Sequence, residues 1–354
     1  MREGHDPSDR FFSGRMSARS ILVLLIAAAA STAAGVVIGR QIIAEPAATT
    51  RPGRIVSVRD RADWALRPFN TDNLTLPREQ ILYGGVAKDR IPALVDPKTI
   101  KDTEADGLRP GERVIGVTVA GESRAYPINI LMYHEAVNDT LGGVPIAVIY
   151  CPLCDSVSVV ERRLEGRTYT FGISGLLHNS NVLLFDRTDE ALWSQVGMTA
   201  ISGPNAGKSL RHLSWEIVSL AVWREAHPEA TVVSVDTGYD RDYRRQPYGD
   251  YFVTDRLSFP VTREDSRFPR KAPVVGVRLG ETVRAYPLSE IRKAPGGLVR
   301  DTINGERLVL QADPELGSVR VVEAPAGAMV IHTFWFAWAA FYPEPEVYEE
   351  SHEP

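Results

Sequence analysis

Cys151-Pro152-Leu153-Cys154 contains both cysteines of the chain, and a Cys-x-x-Cys pair has three common uses. Two thiolates on a turn can point at one metal ion. Two thiols in reach of each other can exchange electrons with a disulfide, and an oxidised pair can be a plain staple. Each use makes its own demand on the neighbours. In the thioredoxin arrangement the first cysteine starts a helix whose dipole stabilises its thiolate. Here Asp155-Ser156-Val157-Ser158-Val159-Val160 alternates like a strand, so the pair is expected on a turn between strands. A metal knuckle fits that setting, because Pro152 presets φ for a turn, but the residue after the second cysteine often needs φ > 0 and Asp155 accepts that less readily than glycine. Two sulfurs leave a metal under-coordinated, so histidine must complete the set for copper or zinc. A bridge across two residues closes a very small ring, which makes it a poor staple and a better switch.

An internal duplication ranks the partners. Val114 to Pro127 (VIGVTVAGESRAYP) realigns with Val274 to Pro287 (VVGVRLGETVRAYP), and Asp139 to Glu161 realigns without gaps on Asp301 to Glu323. Gly116/Gly276, Tyr126/Tyr286, Pro127/Pro287 and Gly143/Gly305 are kept in both copies, so folding alone accounts for them. Cys151 and Cys154 become Asp313 and Leu316, while His134 and Glu135 become Gly296 and Gly297. Residues confined to copy one are the candidates for chemistry. Cys151, Cys154 and His134 form the expected metal set, with Glu135 as proton acceptor or outer partner. Asn179 and His178 are candidates for contacts to a bound cofactor. In a redox reading Cys151 attacks, Cys154 resolves, and His134 and Glu135 move protons. Ser174 lacks the Gly-x-Ser-x-Gly elbow of a hydrolase nucleophile.

The elements that position these residues follow from local pattern. Val114 to Val119 and Ser123 to Tyr126 read as a hairpin, and Pro127 to Val137 as a short helix with His134 and Glu135 in its last turn. Val144 to Tyr150 and Ser156 to Arg162 read as strands flanking the cysteines, Arg167 to Phe171 and Asn181 to Asp186 as further strands, and 171–181 as a loop under the site. Ser214 is a suitable N-cap for a helix through Arg224, stopped at His227-Pro228 before a strand from Thr231 to Val235. Tyr239 to Tyr251 alternates Arg, Asp and Tyr without an apolar face and reads as an exposed connector. Phe334 to Pro343 is too short to cross a bilayer and reads as a buried terminal element.

The chain has 354 residues and a net charge of −5 at pH 7, which leaves no basic footprint for nucleic acid. Residues 21–39 are uncharged and apolar, flanked by Arg10, Arg15, Arg19 and Arg40, and they approach the length needed for a hydrocarbon core of roughly 30 Å. They read as an N-in membrane anchor, with a cleaved signal sequence as the rival. The expected division is a cytoplasmic tail (1–20), a transmembrane anchor or signal sequence (21–39), a linker (40–63), a first module with the Cys-x-x-Cys site (64–255), a degenerate second module (256–343) and an acidic tail (344–354). The expected class is α+β and β-rich, with the bulk of the chain on the extracytoplasmic, periplasmic side of the membrane.

Several of these pieces also resemble a known family. They are Gly84-Gly85-Val86 with Asp89 and Ile91-Pro92; His134-Glu135 with Asn138-Asp139; Tyr150 to Cys154; Phe171-Gly172 with Ser174-Gly175; Asn179-Ser180-Asn181; Asp186 with Thr188; Leu192-Trp193-Ser194-Gln195; and Phe334 to Trp338. Together they resemble domain of unknown function 3179, a family of exported or membrane-anchored bacterial and archaeal proteins. The resemblance covers nearly all of the exported region and supplies no activity. This chain departs from the pattern in having Asp155 where glycine is usual and His178 where an aromatic is frequent. Three functions are therefore carried forward: first, a membrane-anchored binder of copper or zinc acting as carrier, sensor or metalloenzyme; second, a thiol-disulfide oxidoreductase; third, a non-catalytic scaffold with a structural disulfide whose aromatic C-terminus docks a membrane or periplasmic protein partner.

Overall fold

The architecture, taken from a computed structural model that describes residues 63–101, 107–313, 316 and 318–350, is strand-rich with a few short helices. The expected tail, the anchor or signal sequence and nearly all of the linker lie outside the described residues. Among the described residues, no helix is long and apolar enough to cross a membrane.

Copy one supplies β1 (Arg113–Val119), β2 (Glu122–Pro127), α1 (Ile128–His134), β3 (Ala136–Leu141), β4 (Val144–Cys151) and β5 (Ser156–Glu161). An inserted stretch carries β6 (Phe171–His178) and β7 (Asn181–Asp186), and then come β8 (Glu216–Ser219), α2 (Leu220–Ala226) and β9 (Thr231–Val233). Copy two repeats the plan with β10 (Pro273–Leu279), β11 (Thr282–Pro287), α3 (Leu288–Ile291), β12 (Leu298–Ile303), β13 (Glu306–Ala312), β14 (Val319–Glu323), β15 (Met329–Phe334), α4 (Trp335–Phe341) and β16 (Glu346–Val347).

The copies do not build separate sheets. One eight-stranded sheet runs β12-β13-β14-β8-β1-β2-β9 and ends on Thr99–Ile100; the other begins on Leu94–Val95 and runs β3-β4-β5-β15-β10-β11-β16. Each sheet joins the hairpin of one copy to the three-stranded meander of the other. The two halves expected to divide at 255/256 are thus interleaved within one unit. The hairpin and meander of copy one face each other across a core containing Ile115, Val117, Tyr126, Ile146, Val148, Tyr150, Val157 and Val159. The same arrangement in copy two encloses Val275, Val277, Tyr286, Val299, Leu308 and Leu310.

The duplication extends further than the residue alignment reaches. β8-α2-β9 matches β15-α4-β16: each first strand lies between a meander and a hairpin, and each last strand runs parallel to the hairpin's second strand. Trp223 and Trp338 occupy the fourth position of their helices. Each lies against a glycine where an added Cβ would come within 2.2 Å of the Trp223 ring at Gly116 and within 2.3 Å of the Trp338 ring at Gly276. The backbone N–H of His227 donates to Trp223 O and that of Tyr342 to Trp338 O, both at 2.9 Å. The Arg-Tyr-Asp clusters are repeated as well. Asp139 accepts from Arg124 and Tyr126, and Asp301 accepts from Arg284 and Tyr286, all at 2.6–2.7 Å.

What differs between the copies is the insertion. Residues 162–213 stand where copy two has only 324–328, and they form most of a five-stranded sheet ordered Leu82–Tyr83, β6, β7, Leu192–Ser194, Thr199–Ala200. It covers the outer face of the β3–β5 meander, so β4 is buried on both faces: Ile146, Val148 and Tyr150 enter the inter-sheet core, while Ala147, Ile149 and Cys151 pack against Phe171, Ile173, Leu184 and Trp193. An apolar run is the expected result of two-sided burial.

Local expectations shift where tertiary pairing overrides propensity. The helix expected over Pro127 to Val137 ends at His134, because Ala136 to Leu141 pairs with β4. Glu216 to Ser219 is strand, since Ile217 pairs with Ile115, so the helix cap is Ser219, whose Oγ accepts from Val222 N at 3.2 Å, and not Ser214. The 171–181 stretch is a bulged hairpin, not a loop, turning at Asn179 and Ser180 with φ of 51° and 60°. Within the acidic tail, Glu346–Val347 pairs with Arg284–Ala285.

Gly276→Ala is expected to cost about 1–3 kcal/mol by overpacking, with a smaller cost in a Trp338→Leu background. Urea denaturation of the four proteins in the double-mutant cycle measures this, and equal costs in both backgrounds would contradict the Trp-on-glycine contact.

Candidate functional site

The site is built on the turn that ends β4. Cys154 N donates to Cys151 O at 3.2 Å and Asp155 N to Pro152 O at 3.4 Å, closing a tight turn from which β5 departs directly. Both cysteines are free and buried, 1 % and 0 % exposed. The two thiols lie within hydrogen-bonding reach of each other, and burial, reinforced by Cys151, pushes the Cys154 thiol well above its ordinary range. Cys154 Sγ donates to Ser180 O at 3.3 Å. The Cys154 carbonyl accepts from Phe334 N at 2.8 Å and Thr333 Oγ1 at 3.3 Å, which fastens the turn to β15.

Asp155 has a left-handed φ of 46°, a strained conformation for a residue with a Cβ. Its carboxylate accepts from Arg113 Nη1 and Nη2 at 3.3 and 3.2 Å, from Tyr150 Oη at 2.9 Å and from His332 Nε2 at 3.3 Å. Burial alone would raise its pKa, yet Arg113, His332 and Tyr150 together hold the carboxyl well below the usual range. None of the four recurs at the matching position of the other copy. Aligned positions carry Pro273, Ala312, Gly317 and Ile217, so comparing the copies over their full extent would have found this cluster.

Beneath the turn lies a buried polar network. Ser156 Oγ and Asn181 Nδ2 donate to Gln195 Oε1 at 2.8 and 2.7 Å, and Gln195 Nε2 donates to Ser158 Oγ at 3.0 Å. Asn181 also reaches the Cys154 thiol. Two residues expected at a cofactor are turned to structural duties instead. Asn179 donates to Ala340 O at 3.3 Å and accepts from Thr262 N at 2.8 Å. His178 Nε2 lies 3.2 Å from Gln80 Oε1, its ring stands edge-on to Phe341, and burial lowers its pKa to about 4. Ser174 Oγ donates to Leu183 O within the strand bulge.

The structure does not bring His134 to the sulfurs as a third ligand. Its Nδ1 lies 2.7 Å from the Pro92 carbonyl, which can only accept, so Nδ1 carries the proton and Nε2 accepts from Tyr243 Oη at 2.6 Å. Both ring nitrogens are taken. Burial holds the imidazole's pKa below its ordinary value. Among the described residues, no group of three or more His, Cys, Asp or Glu is arranged to hold a metal ion.

Glu135 caps α1 with φ of 57°, and its carbonyl accepts from Tyr150 N at 2.8 Å, one residue before Cys151. Its carboxyl is buried and pushed up to about 7 by that burial, with one hydrogen bond, from Tyr248 Oη at 3.3 Å, acting the other way. Tyr248 is itself raised by burial and by the charges of Glu135 and Cys151, so one hydroxyl senses both groups.

The segment expected as an exposed connector is the cover of the site. Its charged side chains face out, whereas Tyr243 bonds His134, Tyr248 bonds Glu135, and Tyr251 Oη donates to Leu153 O at 2.8 Å. Tyrosine carries an apolar body and a polar tip, and three of them spaced at irregular intervals leave no periodic signal to read.

A family described as protein of unknown function (DUF3179) matches residues 88–331. No curated protein matches the chain, and no solved structure does.

The pKa of Glu135 dictates a pH dependence. Its folded value lies above the unfolded 4.5, so the stability it contributes is full below pH 4.5 and is lost as pH rises through about 7. Glu135→Gln is expected to match the parent below pH 4.5 and to exceed it by roughly 3 kcal/mol above pH 7, at 1.36 kcal/mol per pKa unit. Denaturant titrations at pH 4 and pH 8 decide it; a constant difference between the two would contradict a buried, raised carboxyl.

Proposed function

The chain belongs to this family of unknown function, and we propose that it is a thiol-disulfide oxidoreductase, with Cys151 as the attacking and Cys154 as the resolving residue. The observation that carries the reading is a pair of free thiols in mutual reach on one tight turn, while His134, the third ligand a metal would need, is fully engaged elsewhere. We place the domain on the extracytoplasmic side of a membrane, tethered by residues 21–39, where disulfides are abundant.

The reaction balances with a disulfide R–S–S–R′ as co-reactant. Cys151 gives its proton to a base and its thiolate attacks one sulfur, forming a Cys151–S–S–R bond and releasing R′–S⁻, which takes up a proton. Cys154 then loses its proton and attacks the Cys151 sulfur, forming the Cys151–Cys154 bond and releasing R–SH. Two electrons and two protons leave the dithiol and reduce one disulfide to two thiols. Run backwards, the same steps oxidise a substrate dithiol.

The roles divide by environment. Burial holds the proton on Cys154, which suits the second step, when its partner sulfur is already in a disulfide. Glu135 titrates near neutrality, as a proton acceptor should, and Tyr248 links it electrostatically to Cys151. Asp155 is a positioning residue: it fixes the backbone of the turn without touching a sulfur. The small ring formed on oxidation gains little loop-closure stabilisation, which favours passing the disulfide on over keeping it.

Anaerobic purification of the chain without residues 1–45, followed by thiol and metal counting across a series of redox buffers, tests the assignment. Two thiols that oxidise and re-reduce reversibly as a two-electron couple, with no stoichiometric metal, are expected. Bound copper or zinc that disappears in Cys151→Ser would overturn the redox reading in favour of metal carriage, and a permanent bridge would overturn it in favour of a scaffold.

A further inference from the structure

Cys151 and Cys154 are almost wholly buried, and a disulfide cannot be attacked by a sulfur it cannot reach. Building on the dithiol reading, we propose that residues 239–257 are a tyrosine-bearing lid that opens to admit the substrate, with Lys271 as the clip that holds it shut.

The segment lies where the fold can release it. Between β9, ending at Val233, and β10, starting at Pro273, the one regular element is a single 3-10 turn at Tyr251–Val253. The backbone bonds within this segment are local: Arg245 N to Asp242 O at 3.1 Å, Tyr251 N to Tyr248 O at 3.2 Å and Val253 N to Asp250 O at 3.1 Å. It is fastened to the rest of the protein largely through side chains. Tyr243, Tyr248 and Tyr251 bind His134, Glu135 and the Leu153 carbonyl. Tyr133 from α1 donates to the carbonyls of Asp242 and Arg245 at 3.1 and 3.0 Å. Phe252 and Leu257 pack on the apolar cluster that contains both cysteines. Each such bond is modest in net strength, and a segment without ladder pairing can open while the sheets remain intact.

Lys271, just before β10, gathers the far end of this segment. Its Nζ donates to the carbonyls of Tyr251, Thr254 and Arg256, the last two at 2.7 Å. It also lies 3.4 Å from the centroid of the Tyr251 ring, a cation-π contact. One ammonium thus holds three successive parts of the lid and the aromatic ring whose hydroxyl reaches the cysteine turn. These contacts all run to the segment itself, so removing the ammonium takes no hydrogen bond from the sheets, the cysteine turn or Glu135. The outer face bears Arg241, Arg244, Asp250 and Asp255, and Val253 is 86 % exposed, so none of the described residues covers that face.

The test is the rate at which N-ethylmaleimide modifies Cys151 and Cys154 in the reduced full chain, followed by mass spectrometry. Lys271→Met and Tyr251→Phe are expected to react at least tenfold faster than the parent, with the main unfolding transition preserved. Arg284→Met, which breaks a half-buried ion pair in copy two, serves as control and is expected to react at the parental rate. Equal rates in all four proteins, or equal acceleration in Arg284→Met, would overturn the lid, since exposure would then need no clip or would follow global unfolding. If the rates are equal while the dithiol still cycles reversibly, the lid falls and the redox assignment stands. If Lys271→Met exposes thiols that never cycle, the lid stands and the redox assignment falls.

Discussion

The structure depends on the carboxylate of Asp155. It is buried, carries charge, and occupies a backbone conformation that usually belongs to glycine, so three unfavourable features meet at one residue. Arg113 from one eight-stranded sheet, and Tyr150 and His332 from the other, meet at its oxygens. An unpaired buried charge would be severely destabilising, whereas one satisfied from several sides can fix a single arrangement. Here the arrangement fixed is the turn that holds both cysteines. This is also a physical reason for one departure of the chain from its family's pattern: a glycine at 155 would relax the backbone and leave Arg113 without its anion.

Around that anchor the two copies divide the work. Their exchanged hairpins and meanders make two sandwiched cores from one plan, and the paired Trp-on-glycine contacts and Arg-Tyr-Asp clusters recur because both cores need them. The site arises where the symmetry breaks. Among the described residues only the copy-one meander carries an inserted sheet on its outer face, and this second interface gives the cysteine turn a buried surrounding of Ser, Asn and Gln side chains on one side. The long crossing between β9 and β10 supplies the other side. In copy two Asp313 replaces the first cysteine, and its Oδ1 accepts from Leu316 N at 2.7 Å, so a carboxylate closes the turn where thiols would stand.

Much of this was legible in the residues because the signals were local. Alternation placed the cysteines on a turn between strands, and the missing helix after Cys154 set the pair apart from thioredoxin geometry. Comparing the copies singled out Cys151, Cys154, His134 and Glu135. Other features depended on distant partners. Nothing near His134 shows that Pro92 and Tyr243 take both its nitrogens, and nothing in Tyr239 to Tyr251 shows that its hydroxyls reach back more than 95 residues to the turn and helix of copy one. Ser214 resembles a cap until Ile217 pairs with Ile115. The extended duplication left one readable trace, a tryptophan followed four residues later by His-Pro or Tyr-Pro, too short to recognise without the matching strands.

Trapping the first covalent step tests the central claim most directly. Cys154→Ser, incubated with a small aromatic disulfide and examined by intact-mass spectrometry, should accumulate one mixed disulfide, mapped to Cys151, because no resolving thiol remains to clear it. Cys151→Ser should accumulate far less, since Cys154 keeps its proton in its buried setting. Equal labelling of the two variants, or none in Cys154→Ser even after Lys271→Met is added, would contradict an attacking Cys151 beneath a lid.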